Sequence, residues 1–299
     1  MSEGIKHSGW SQINLIYNYS EGLDIKTYNY KSTDLAEHWE RLHLCDCEPY
    51  PSATWVQSQF LRNPEVAKSA FTQDTDELSD QLVSFWCAFH NGDYQAAMEL
   101  AEPCGLLGAY PFSIAANVYA TYLVDDLKEK LALFNHAADK CKKALKYMDH
   151  HANTHYMVAC NTGRYAEYKG LLQATLLGLT FKTHLEKTLT LEPKHLLATL
   201  GAGSFHAGAI DAAGKIMAAA PPYYCTTKKA LKYYKASIAL APSLPIVYLE
   251  YVKGLDKLYG KVNPGQISDI ADKVMTLSTM DNMESLDMNE LKRGLKRHG

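Results

Sequence analysis

The sequence predicts an all-α protein in which helix pairs stack into a curved solenoid behind a non-repeating N-terminal segment. Three observations carry that reading. From about Asp74 onward, apolar residues recur with the helical period of 3.6 rather than the strand period of two. Five helices align on Ala97, Ala137, Phe181, Ala230 and Ala271, and seven residues past each anchor stand Cys104, Ala144, Thr188, Ser237 and Ser278, all small. Two copies end on equivalent phrases, Leu191-Glu192-Pro193 and Leu240-Ala241-Pro242, where proline stops a helix.

In chain order, residues 1–70 are expected to be an extended and helical segment packed on the repeats. Residues 12–19 and 23–30 alternate loosely around Ser20, Glu21 and Gly22, which fits either a hairpin or an extended arm. Ser32, Thr33 and Asp34 cap a short helix carrying Leu35, Trp39, Leu42 and His43, and Pro49 and Pro51 break the chain after it. Residues 71–299 are expected to form the repeat domain. Its first helix places Leu78, Leu82, Phe85, Trp86 and Phe89 on one stripe. Asn91, Gly92 and Asp93 turn the chain, and Tyr94 opens an antiparallel partner. Residues 208–227 are expected to be an inserted loop, and the last helix, with Met283, Leu286, Leu291 and Leu295, to cap the stack.

Within the five copies, the residues four past each anchor are Ala101, Cys141, Leu185, Tyr234 and Met275, all able to face a core. Offsets of four and seven share a helix face, so a small side chain at the second lets a neighbouring helix approach. These features resemble tetratricopeptide repeats, which run to about 34 residues. Here the anchors are 40, 44, 49 and 41 residues apart, giving about five lengthened, irregular pairs. The stretches Glu37-His38-Trp39-Glu40-Arg41-Leu42-His43, Thr154-His155-Tyr156, Phe181-Lys182-Thr183-His184, Leu200 to His206, Tyr248 to Tyr251 and Met280 to Asp287 are similar to an uncharacterised bacterial group of such proteins. More distantly, the chain resembles the tetratricopeptide domain of the regulator-of-microtubule-dynamics family and a periplasmic lipoprotein of ligand transport. The resemblance implies a superhelix that binds protein or lipid-like ligands.

Bulk properties narrow the classes. Lys and Arg number 30 against 33 Asp and Glu, a net charge of −3 that gives no electrostatic reason to expect nucleic acid. The seven cysteines are odd in number and scattered, unlike a disulfide framework. No apolar run reaches the roughly 18 residues of a membrane span, and the opening residues lack a signal peptide's apolar stretch, so a cytoplasmic setting is expected.

No catalytic motif stands out, and the chain is not expected to be an enzyme or to carry a cofactor. His151 and His155 share the helical spacing that zinc sites use, and His150 lies beside them. No third ligand follows, and the turn they occupy suits Asp, His and Asn as caps. Cys45 and Cys47 lack the two-residue gap of redox or zinc pairs. The function expected is recognition of a protein or peptide partner in the concave groove, with Tyr156, Asn161, Arg164, His206, Asp211, Tyr223, Tyr224 and Tyr248 as candidate contacts. Tyrosine suits such a surface because it offers contact area and a polar tip. The alternatives are a carrier of a small apolar ligand beneath Pro221-Pro222-Tyr223-Tyr224, and a metal-dependent enzyme using the histidines.

Overall fold

The computed structural model describes residues 26–260 and 264–298, and these are helical with no strand among them. The N-terminal part holds α1 (Ser32–Leu42), α2 (Ala53–Arg62) and α3 (Pro64–Ser69). Leu35, Trp39 and Leu42 form the buried face of α1. The Ser52 hydroxyl caps α2 by accepting from the Trp55 amide. Most of the proposed residue 12–30 hairpin lies outside the described residues.

Five helix pairs follow: α4 (Thr75–Asn91) with α5 (Tyr94–Ala101), α6 (Ala109–Tyr122) with α7 (Leu127–Ala144), α8 (Ala152–Ala166) with α9 (Leu171–Leu191), α10 (Leu196–Ala219) with α11 (Thr227–Leu240), and α12 (Pro245–Tyr259) with α13 (Pro264–Val274). Each helix packs on its sequence neighbour, and α4 also touches α6, α6 touches α8, and α10 touches α12. Contacts between alternate helices make an array of stacked hairpins. The starts are locally encoded. Asp74, Asp126 and Thr226 accept amide hydrogens at the heads of α4, α7 and α11, while His151 and His195 do so with Nδ1 at α8 and α10. Gly92 closes α4 at φ 92°, a left-handed conformation that favours glycine.

The aligned anchors all fall on second helices. Ala101, Cys141, Leu185 and Tyr234 are buried, and so are the small residues Cys104, Ala144, Thr188 and Ser237. The fifth copy departs from this register: α13 ends at Val274, leaving Met275 82% exposed and Ser278 exposed. Among the described residues no further helix pair stacks on α13, so the fifth copy lacks the neighbour that buries this position in the other four.

Two more expectations are corrected. Residues 208–219 are not a loop; they continue α10, with a break at Gly214 (φ 76°), and only residues 220–226 turn. The final helix α14 (Asn282–His298) does more than cap the stack. It packs on α12 and α13 and also reaches α4, at the opposite end of the array. It therefore lies along the face lined by the first helices, and Leu286 joins the core of the early pairs while Met288, Leu291 and Leu295 join that of the late ones.

Candidate functional site

The face lined by first helices is covered by both ends of the described chain, and polar contacts hold them there. At the start of α14, Asp281 accepts from the Glu284 amide as helix cap and lies 2.8 Å from His90 Nδ1 on α4. Arg41 on α1 grips Glu284 through two hydrogen bonds of 2.6 and 3.2 Å. Tyr94 donates to Asn282, and Tyr122 donates to Asp287. Three carboxyl groups spaced by three residues, on the cap and first two turns of α14, thus meet α4, α1 and α6. All three are buried. Desolvation pushes the Asp287 carboxyl up to about 7, against the Tyr122 hydrogen bond.

Residues 43–52 run from α1 over the heads of later first helices. The Cys45 carbonyl accepts from the Leu197 amide, and Asp46 accepts the Tyr110 hydroxyl. Glu48 accepts from Asn153, which in turn is 2.7 Å from His195 Nε2. Asp46 also faces His43 Nδ1 at 3.0 Å, and His43 Nε2 is 3.4 Å from His90 Nε2. Asp281, His90, His43, Asp46 and Tyr110 form one buried polar chain across four elements of the fold. Burial pushes the Asp46 carboxyl up, but His43, Tyr110 and His195 more than offset it and leave it low.

The eight residues singled out in the sequence do not form one site. Tyr156, Asn161 and Arg164 lie on α8. Asn161 is fully buried, donating to Ser113 and the Met157 carbonyl and accepting from Asn117, so it joins α6 to α8. Tyr156 packs its ring 4.9 Å from His195. Arg164 remains partly exposed, and although burial works against its charge, Glu167 and Glu250 sustain it. Glu250 accepts from Ser204 and is held down to about 2, because Lys253 and Arg164 outweigh its burial. His206 and Tyr223 each lie beside Phe205 near the 220–226 turn. His206 stacks on Tyr233, its buried Nδ1 has no hydrogen-bond partner among the described residues, and burial with nearby Lys229 and Lys182 pushes it down to about 4. Asp211 is exposed, Tyr224 is 53% exposed, and Tyr248 is buried with its hydroxyl donated to the Pro242 carbonyl.

The histidines of residues 150–155 separate as well. His150 faces Gln59, His151 caps α8, and His155 pairs with His184. Among the described residues, no three His, Cys, Asp or Glu side chains gather as a metal-ligand set, and no helix is long and apolar enough to cross a membrane. The seam residues His43, His90, Asp281, Glu284 and Asp287 were not candidates. The segments holding all but His90, residues 37–43 and 280–287, stood out in sequence, but nothing there pairs Arg41 with Glu284 across 243 positions or His90 with Asp281 across 191.

Residues 112–252 match the family model described as regulator of microtubule dynamics protein 1-3. The match runs from within α6 to within α12 and omits α1–α5, α13 and α14. No curated protein matches the chain.

Proposed function

We propose that this chain is a cytoplasmic, tetratricopeptide-like scaffold that binds a protein partner and catalyses no reaction. The partner would supply a helical segment to the face lined by first helices. The observation that carries this reading is α14. The array already holds a polar helix there, contacting it side chain by side chain through Arg41, His90, Tyr94 and Tyr122. A partner helix would either take that seat by displacing α14 or dock beside it, against Arg164, Glu250 and Lys253. The family match over α6–α12 supports an interaction module. Affinity capture from the source cells tests it. A partner retained by the wild type and lost with Arg164→Glu supports the reading, provided that the outward Lys235→Glu control retains it. Equal capture by both variants would sink it.

A second reading, a carrier of an apolar ligand, has one specific support. Leu172, Leu176 and Leu179 make an exposed stripe on α9, and Tyr223 holds the 220–226 turn against that half of the helix by donating to the Thr175 carbonyl. Native mass spectrometry of protein from its own cells should then reveal a bound adduct. A clean unliganded mass counts against it.

A further inference from the structure

Two histidine pairs lie within hydrogen-bond range, and they differ in what they require. His155 Nε2 is 2.9 Å from the Asp149 carbonyl oxygen, which only accepts, so this nitrogen carries the hydrogen. Its bare Nδ1 then accepts from His184 Nδ1, 2.9 Å away, and two neutral rings satisfy every contact. Burial pushes His155 down, and burial with His155 pushes His184 down to about 4, in keeping with neutral rings.

The His43–His90 pair is built the other way. Both outer nitrogens face carboxylates: His43 Nδ1 lies 3.0 Å from Asp46, and His90 Nδ1 lies 2.8 Å from Asp281. With both carboxylates ionised, both nitrogens must donate. Two neutral rings would then leave bare Nε2 lone pairs opposed at 3.4 Å in a buried site. Moving a hydrogen onto Asp46 does not relieve this, because both its oxygens already receive donors. A proton on Asp281 Oδ2, which among the described residues meets His90 Nδ1 alone, would leave both rings neutral, an outcome that imidazole spectra distinguish. Asp46 receives the Tyr110 hydroxyl and the Glu48 amide, and Asp281 receives the Glu284 amide.

We propose that the His43–His90 pair binds one extra proton between its two Nε2 atoms, carried as a His43 imidazolium, and that this proton fastens α1, α4 and the start of α14 to one another. Placing the cation on His43 fits its surroundings. The Trp39 ring stacks on it with centroids 3.9 Å apart, and the Trp86 ring stands perpendicular to it with centroids 4.5 Å apart. Burial pushes His90 toward its neutral form, leaving its Nε2 free to accept. Among the described residues, the other charged or titratable groups around the pair are Tyr30, Arg41, Cys45, Asp46, Glu48, Tyr110, His195, Asp281 and Glu284, of which only Arg41 is a fixed cation, and it is committed to Glu284. Removing the proton opposes the two lone pairs and loosens the seat of α14, whether or not a partner competes for it.

The test uses the full-length chain. Imidazole 15N–1H correlation spectra at neutral pH should show one ring protonated at both nitrogens and its neighbour at Nδ1 alone. Hydrogen exchange of residues 282–298, corrected for intrinsic rate, should lose protection about tenfold per pH unit where the closed pair keeps its proton and the opened pair does not. The exchange slope is read in an Asp287→Asn background, which removes that carboxyl's own titration. There, adding His43→Gln, whose amide donates to His90 without titrating, should abolish the slope. Two neutral rings in the wild type, a slope of zero in Asp287→Asn, a slope retained when His43→Gln is added, or a stoichiometric metal found by elemental analysis would each overturn the proposal. Should the His43→Gln chain fail to fold, the wild-type spectra and the Asp287→Asn slope still decide.

Discussion

Asp287 shows how a single buried carboxyl shapes the response to pH. Its pKa rises from 3.8 to about 7, chiefly through desolvation. Between those values the folded chain binds more protons than the unfolded one, so this residue's contribution to stability is full below about pH 4 and is lost as pH rises through 7. Asp287→Asn keeps an acceptor for Tyr122 and removes the ionisation. Denaturant melts should show the variant equal to wild type or weaker at pH 5 and more stable by roughly 1–3 kcal/mol at pH 8. Asn161 works by satisfaction rather than by charge. Asn161→Ala strips partners from buried Ser113 and half-buried Asn117 and should cost roughly 1–3 kcal/mol at any pH, read from the same melts.

At the scale of elements, α14 is polar in composition yet buried, so its attachment depends on partners rather than on an apolar stripe alone. Leu291→Ala removes a fully buried side chain and should cost about 2–4 kcal/mol in global melts. Arg41→Ala leaves Glu284 buried without its cation, and hydrogen exchange should register the loss first in residues 282–298. Much of the element structure was legible in the sequence, and the reasons are local. The stripe Leu78, Leu82, Phe85, Trp86 and Phe89 is buried as its spacing required, because five apolar residues at one helical phase have only one way to leave water. Helices α2 and α3 were not foreseen, since Pro49, Pro51 and Pro64 bracket segments too short to show a period. Residues 208–219 looked like loop because alanine and glycine leave no apolar stripe, although alanine favours helix on its own account. The polar seam was illegible for a different reason: its pairs are set by topology, and no spacing rule connects His90 to Asp281.

At the scale of the molecule, the column of small side chains governs how closely hairpins nest. Gly254 and Gly203 extend the same principle to α12 and α10, where an added methyl would meet the ring of fully buried Tyr234. Ser237→Leu should therefore destabilise by roughly 1–3 kcal/mol, whereas Ser278→Leu, at the exposed fifth position, should stay within about 0.5 kcal/mol in parallel thermal melts. A stack of hairpins ordinarily frays from its tips, since each unit leans only on the next. Here Tyr28 meets Thr279 and Arg41 meets Glu284 across 251 and 243 positions of chain. Such long-range closure ties the weakest units to each other, so the array should melt as one cooperative body instead of unzipping piecemeal. The cost falls on kinetics: the last contacts to form span nearly the whole polypeptide, and refolding should be slow for an all-helical protein.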